Sequence, residues 1–129
     1  MAIRIKKVLL IDDEVELIDI YALQLREAGY TVIVAGDGME GLHQAKLEKP
    51  DLILLDLKMP KMSGMEVLTK LKEDPELKNL KVVFLTAFSD AIVPAIDVPY
   101  AQFIGATDLI KKGISLDEFI TKVKSYIGA

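Results

Sequence analysis

The strongest constraint on the fold of this chain lies in residues 52–64, with the sequence LILLDLKMPKMSG. The segment opens with four consecutive apolar residues, and an uninterrupted run of that kind is typical of a strand buried on both faces. The run ends on the carboxylate Asp56. Pro60 cannot continue the strand, because proline has no amide donor and a fixed φ. The segment therefore predicts a buried strand followed by a short loop that carries an acid.

Four pairs of residues have the spacing of a capping box, in which a small polar side chain and a Glu three positions later satisfy free amides at a helix start. We expect a helix to begin at each pair. The pairs are Asp13 with Glu16, Asp37 with Glu40, Ser63 with Glu66, and Ser115 with Glu118. Gly29 is expected to follow the end of the first helix, since glycine is common just past a helix C-terminus.

Five apolar runs alternate with these helices and predict strands at residues 8–11, 31–35, 52–55, 82–85 and 109–110. The first, third and fourth runs are almost pure Val, Ile, Leu and Phe, which favours central positions. With right-handed crossovers, this predicts an α/β fold: a doubly wound parallel sheet of order 2-1-3-4-5 with five helices. The fourth helix, within residues 89–104, is expected to be short, kinked or partly irregular because Pro94 and Pro99 interrupt it.

Length and composition restrict the function. A chain of 129 residues predicts a single domain over residues 1–129. The net charge of −4 argues against direct binding of nucleic acid. The absence of cysteine excludes disulfides and thiolate metal sites. No signal peptide and no membrane-spanning run are evident, so a cytoplasmic location is expected.

Polar side chains follow the predicted strands at one edge of the sheet: Asp12, Asp13, Asp56, Thr86 and Lys112. Two carboxylates a few Å apart repel each other by roughly 1 kcal/mol in water and about 4 kcal/mol at an effective dielectric of 20. Such a cluster calls for a cation, and oxygen ligands without His or Cys indicate Mg²⁺. A carboxylate can also act as a nucleophile toward phosphorus. The alternative, that the aspartates only cap a helix, explains one of them but not five polar groups at one edge.

Four segments in this order and spacing resemble the receiver domain of response regulators, the CheY-like phospho-accepting module of two-component signalling, which has a flavodoxin-like fold. The segments are VLLIDDE, DLKMPKMSG, FLTA and GATDLIKK. The resemblance implies Mg²⁺ as cofactor and a histidine kinase or phosphotransfer protein as phosphodonor. It also implies a downstream protein target that binds the face formed by helix 4, strand 5 and helix 5.

Individual roles follow from the same resemblance, residue by residue. Asp56 matches the phosphorylated aspartate, Asp13 a direct metal ligand, and Asp12 an acid that holds the metal through water. The implied roles of the remaining residues are a metal-binding backbone carbonyl at Lys58, a switch hydroxyl at Thr86, and a charge partner of the phosphoryl group at Lys112. Asp56 would itself also bind the metal.

Several positions depart from the family pattern. Gly113 replaces a proline that usually follows the lysine with a cis peptide, so a trans bond is expected here. Leu109 occupies the position of the switch aromatic, so the usual coupling of that ring to Thr86 is not expected. Lys58 and Phe88 flank the approach of water in the family, and their bulk predicts slow self-dephosphorylation.

Two other functions remain open at this point. A metal-dependent phosphohydrolase with an aspartate nucleophile uses similar groups, but it also needs a second acid to position water and a cap over the substrate. A flavin carrier shares the topology, but Asp12, Asp13 and Glu14 would repel a phosphate after the first strand. Phosphoryl incorporation that stops at one group per chain distinguishes a receiver from a hydrolase. His43 is expected to be a surface residue.

Overall fold

The computed structural model describes residues 4–87 and 98–128, in which five strands and five helices alternate along the chain. The strands are β1 (Lys7–Ile11), β2 (Thr31–Ala35), β3 (Leu52–Asp56), β4 (Val82–Thr86) and β5 (Asp108–Lys111). The helices are α1 (Val15–Glu27), α2 (Gly38–Glu48), α3 (Gly64–Glu73), α4 (Val98–Phe103) and α5 (Leu116–Ile127). Each predicted strand is present, and the four helices predicted from capping spacings begin within two residues of the expected positions, whereas the fourth helix is described only from Val98 onward.

All five strands pair in parallel, in the order β2-β1-β3-β4-β5, which confirms the predicted sheet. In the ladder register, Ile11 lies opposite Leu55, and Asp56 lies opposite Leu85. The carboxyl ends of β1, β3 and β4 therefore reach the same edge of the sheet. This edge carries the predicted site.

The sheet divides the hydrophobic core into two clusters. Alternate residues of β1 and β3 face opposite sides, so that Leu9 and Ile53 belong to one cluster and Leu10 and Leu54 to the other. The first cluster contains buried side chains of α2 and α3, and the second contains those of α1 and α5. This two-sided burial is the reason that β1 and β3 have no polar alternation.

Three of the four predicted helix starts are confirmed, with the polar side chain of each pair in the N-cap position. The side chains of Asp37, Ser63 and Ser115 each accept a hydrogen bond from the backbone amide three residues later. Gly29 follows the end of α1 with a φ of +100°, a left-handed conformation that suits glycine.

The capping prediction at Asp13 is wrong. Helix α1 begins after Glu14, which makes no side-chain capping bond. Asp12 Oδ1 instead accepts a hydrogen bond from the Glu14 amide at 3.0 Å. The Asp12 side chain thus forms a local turn with the backbone two residues later and satisfies the Glu14 amide.

Among the described residues, helix α4 comprises the six residues Val98–Phe103. Pro99 is its second residue, a position where proline is tolerated because the first-turn amides have no intrahelical partner. The part of the expected fourth helix that contains Pro94 lies outside the described residues. His43 is exposed on α2, as expected.

Two further observations concern the described part of the chain. It contains no cis peptide bond, in agreement with the trans bond expected before Gly113, and Gly113 itself has a φ of +97°. Within residues 4–87 and 98–128, no helix combines the length and apolar character needed to cross a membrane.

Candidate functional site

The ends of three strands position the charged side chains of the site. Asp12 directly follows β1, and its amide donates to the Ala35 carbonyl at 3.1 Å. Asp56 is the last residue of β3. Lys112 directly follows β5, and its amide donates to the carbonyl of Thr86 at 2.8 Å. Backbone hydrogen bonds to the neighbouring strands thus fix the backbone positions from which the side chains of Asp12 and Lys112 extend.

The loop after Asp56 is held against the start of α3. The Gly64 amide donates to the Leu57 carbonyl at 2.9 Å, and the Leu57 amide continues the ladder to β4 by donating to Leu85 at 3.0 Å. A Cβ atom on Gly64 would lie only 2.3 Å from the Asp56 carbonyl oxygen and 2.9 Å from the Leu57 Cα. Only glycine permits this close approach of α3 to the backbone that carries Asp56.

Replacing Gly64 with alanine is therefore expected to destabilise the fold by about 1–3 kcal/mol, because the atoms in the way belong to the backbone and cannot rotate aside. Urea unfolding measures the change. Gly36→Ala is the matched control, since its nearest neighbour would be 4.0 Å from the new Cβ. A Gly64→Ala protein as stable as the control would mean that the loop shifts freely.

Lys112 connects the acids of the site. Its side chain is only 7% exposed, and its ammonium nitrogen lies within 3.2 Å of three carboxylate oxygens. The Nζ distances are 2.9 Å to Asp12 Oδ2, 2.8 Å to Glu14 Oε1 and 3.2 Å to Asp56 Oδ1. The Lys112 ammonium thus faces carboxylates from the carboxyl ends of two different strands, β1 and β3.

Burial and charge shift the ionisation of these groups. Burial raises the pKa of Asp56 to about 7, and repulsion by Asp12 adds to this, while Lys112 acts in the opposite direction. Burial would lower the pKa of Lys112, but its contacts with Asp12 and Glu14 outweigh that effect, so the pKa is raised. Lys112 therefore remains charged at neutral pH, whereas the metal-free Asp56 is close to its titration point.

The acids fit a hard divalent cation. One oxygen each from Asp12, Asp13 and Asp56 can be chosen so that all three lie within 4.8 Å of one another. Asp12 Oδ2 is buried, and among the described residues it forms an ion pair with the Lys112 ammonium at 2.9 Å but accepts no hydrogen bond of good geometry. A buried carboxylate oxygen in that condition, beside two further acids and without His or Cys, suits Mg²⁺.

Asp13 differs from the other two acids because it is exposed, whereas Asp12 and Asp56 are buried. It lines an open cleft of about 490 Å³ at the carboxyl edge of the sheet. The other lining residues are Glu14, Asp56, Lys58, Met59, Pro60 and Ala87. The cleft gives a ligand in solution a path to Asp56.

Most of the residues predicted from the sequence meet here. Asp12, Asp56 and Lys112 are in contact through the ammonium, and Asp13 lies beside them. The Lys58 amide is 3.5 Å from Asp56 Oδ1, which keeps this peptide next to the acid.

Thr86 has a less direct relation to the site. It ends the neighbouring strand β4 and is half-buried, and its hydroxyl donates weakly to the Ala87 carbonyl at 3.4 Å. Leu109, in β5, is buried in the hydrophobic core. Phe88, the other predicted neighbour of the water path, lies outside the described residues.

Sequence reasoning missed the role of Glu14. The sequence pattern places it only in an acidic loop, whereas in the structure its carboxylate contacts Lys112 across 98 residues of sequence. No local pattern signals this pair. The available clue was that Glu14 follows two acids at the edge that Lys112 was predicted to reach.

Comparison with known proteins gives a consistent result. The chain matches the family described as Response regulator receiver domain over residues 8–124. It is 34% identical to the polar-differentiation response regulator DivK of Brucella anthropi, over 95% of this chain and 97% of that protein. It is 35% identical to the alkaline phosphatase synthesis transcriptional regulatory protein PhoP of Bacillus subtilis, over 95% of this chain but only 48% of PhoP.

Solved structures agree with the sheet topology. The chemotaxis protein CheY4 of Vibrio cholerae superimposes with a TM-score of 0.83 at 25% identity, covering 95% of this chain and 99% of that one. A response regulator receiver domain protein from Clostridium thermocellum gives a TM-score of 0.82 at 26% identity, covering 95% and 94%. Both similarities extend over nearly the whole chain.

Proposed function

The chain belongs to the family of response regulator receiver domains, and from this we propose that Asp56 accepts a phosphoryl group from a phosphohistidine donor. The observation that carries the proposal is the arrangement at the end of β3. Asp56 is buried at the base of an open cleft, with the Lys112 ammonium 3.2 Å from one of its oxygens. A nucleophile and a fixed cation are therefore both next to the space that a phosphoryl group would occupy.

In the transfer step, a carboxylate oxygen of Asp56 attacks the phosphorus. A P–O bond forms, and the P–N bond to the donor imidazole breaks with its electron pair going to nitrogen. Lys112 stabilises the charge on the phosphoryl oxygens, because its buried ammonium already lies next to Asp56. Bound Mg²⁺ would supply further neutralisation of charge, held by Asp12, Asp13, Asp56 and the carbonyl of Lys58. Thr86, at the end of β4, is proposed to donate its hydroxyl to the phosphoryl group.

The test is the intact mass of the protein after incubation with acetyl phosphate and Mg²⁺. We expect wild type to gain one phosphoryl group, and we expect no gain in Asp56→Asn or in wild type treated with chelator. A gain of the same size in Asp56→Asn, or in chelated wild type, would contradict the proposal.

Release of phosphate in the same reactions addresses the competing phosphohydrolase function. We expect release no faster than the decay of the phosphorylated protein, because the chain is a signalling module rather than an enzyme for an external substrate. Many phosphate ions released per chain, without accumulation of phosphorylated protein, would favour the hydrolase.

Family members interact with histidine kinases or phosphotransfer proteins and with downstream targets. For this chain we propose one receiver domain over residues 1–129, located in the cytoplasm. Its output contact is proposed to be with a protein rather than nucleic acid, through the face formed by α4, β5 and α5. Exposed Tyr100 and Phe103 on α4 support an apolar protein contact on this face.

A further inference from the structure

Glu14 makes a contact that the family roles above do not require. Its Oε1 lies 2.8 Å from the Lys112 ammonium. Glu14 occupies the N-cap position of α1, yet its side chain makes no capping hydrogen bond. The Glu14 side chain therefore binds Lys112 instead of capping helix α1.

The ammonium of Lys112 has a limited number of partners. An ammonium group carries three N–H donors. Three carboxylate oxygens already lie within 3.2 Å of Nζ, from Asp12, Glu14 and Asp56. Among the described residues, only the contact with Glu14 has hydrogen-bond geometry. A phosphoryl oxygen on Asp56 would compete with these carboxylates, and directly with Glu14, for the Lys112 ammonium.

Exposure distinguishes the three carboxylates. The side chains of Asp12 and Asp56 are 1% and 3% exposed, whereas that of Glu14 is 55% exposed. A buried carboxylate that loses its cation is strongly penalised, but an exposed one is solvated by water when it leaves. Glu14 is thus the partner that can be displaced at low cost.

We propose that Glu14 is a positioning residue that holds Lys112 in the unphosphorylated protein and is displaced by the phosphoryl group. Glu14 therefore slows phosphorylation of Asp56, because the incoming phosphoryl group must replace Glu14 at Lys112. The inference rests on the proposed function and goes beyond it. Glu14, which follows Asp12 and Asp13 in the sequence, then helps to determine how readily Asp56 is phosphorylated.

The test compares Glu14→Gln with Glu16→Gln. Gln keeps the shape of the side chain and removes its charge. Glu16 is exposed in the first turn of the same helix, so its substitution removes an equal charge without touching Lys112. Beryllofluoride, which forms a tetrahedral phosphoryl mimic on a carboxylate oxygen, serves as the probe. Its affinity is measured by calorimetry with Mg²⁺ at 0.1 M and 0.5 M NaCl, and phosphorylation rates with acetyl phosphate provide a second measurement.

We expect Glu14→Gln to bind beryllofluoride about fivefold more tightly than wild type, a change equivalent to about 1 kcal/mol for a partly exposed pair. The gain is expected to persist in 0.5 M NaCl, because a direct contact is shorter than the Debye length of roughly 4 Å at that salt concentration. Acetyl phosphate is expected to phosphorylate this variant faster. Glu16→Gln is expected to stay within about twofold of wild type, as an exposed charge with no contact to the site.

Unchanged or weaker binding by Glu14→Gln would overturn the inference. So would an equal gain in Glu16→Gln, or a gain that disappears at high salt, since either would indicate a general charge effect. If wild type itself neither binds beryllofluoride nor accepts phosphate, the proposed function fails, and the inference that depends on it fails as well. The far-ultraviolet spectrum and melting temperature of each variant establish that it is folded.

Discussion

In metal-free buffer at pH 8, the Asp56→Asn protein is expected to be more stable than wild type, by up to about 4 kcal/mol. Burial, with repulsion from Asp12, raises the pKa of Asp56 from 3.8 to about 7. Each pKa unit corresponds to about 1.4 kcal/mol of stability. Asparagine has the same shape and no charge, so it removes the penalty for ionising this site.

The pH dependence of this effect has a defined sign. Well below pH 4, Asp56 is protonated in both the folded and the unfolded chain, and it imposes no penalty. Between pH 4 and 7, the unfolded chain ionises first, so the stability of wild type falls as pH rises. Above pH 7 the penalty is complete. Lys112 stays charged throughout, because its pKa is raised.

Urea unfolding in EDTA at pH 5.5 and pH 8 measures both features. The stability difference between Asp56→Asn and wild type is expected to be larger at pH 8. Asp19→Asn, a substitution at an exposed position of α1, is the control and is expected to change stability by less than about 0.5 kcal/mol. An Asp56→Asn protein less stable than wild type at pH 8, or a difference that grows toward pH 5.5, would contradict the electrostatic account.

Magnesium is expected to raise the melting temperature of wild type substantially. A cation that binds only the folded protein adds RT ln(1 + [L]/Kd), which is about 2.7 kcal/mol at a hundredfold excess over Kd. For a chain of this length, that corresponds to a shift on the order of 10 °C. The physical reason is the same carboxylate cluster, in which Asp12 and Asp56 are both buried and share the Lys112 ammonium.

Asp13→Ala is expected to abolish the shift, because Asp13 supplies the exposed carboxylate of the cluster. Thermal melts in EDTA and in Mg²⁺ provide the measurement, and Asp19→Ala, outside the cluster, is expected to retain the full shift. If Asp13→Ala retained it as well, the metal would bind elsewhere.

Local sequence patterns predicted the fold because they were unambiguous at each step. The apolar run before Asp56 has no polar alternation, and such a run requires burial on both faces of the sheet. The boxes at Asp37, Ser63 and Ser115 start their helices by hydrogen bonds that span three residues. Features of this kind depend on short stretches of chain.

The errors and omissions involve the same few residues. Asp13 has the spacing of a cap, but Asp12 satisfies the Glu14 amide, and this choice depends on how the loop enters the sheet edge. The contact between Glu14 and Lys112 joins residues that are 98 positions apart. Capping rules cannot predict the bond between Asp12 and the Glu14 amide or the contact between Glu14 and Lys112. Both contacts depend on tertiary packing at the end of the sheet.

The central claim is that one carboxylate, Asp56, carries the phosphoryl group. Borohydride reduces an aspartyl phosphate to homoserine, with release of phosphate, so the modified position is marked permanently. Wild type is treated with acetyl phosphate and Mg²⁺, then with borohydride, digested, and sequenced by tandem mass spectrometry. We predict homoserine at position 56 and unmodified acids at positions 12, 13 and 14. Homoserine at position 12 or 13, or the five-carbon amino alcohol that a glutamyl phosphate would give at position 14, with Asp56 intact, would contradict the account.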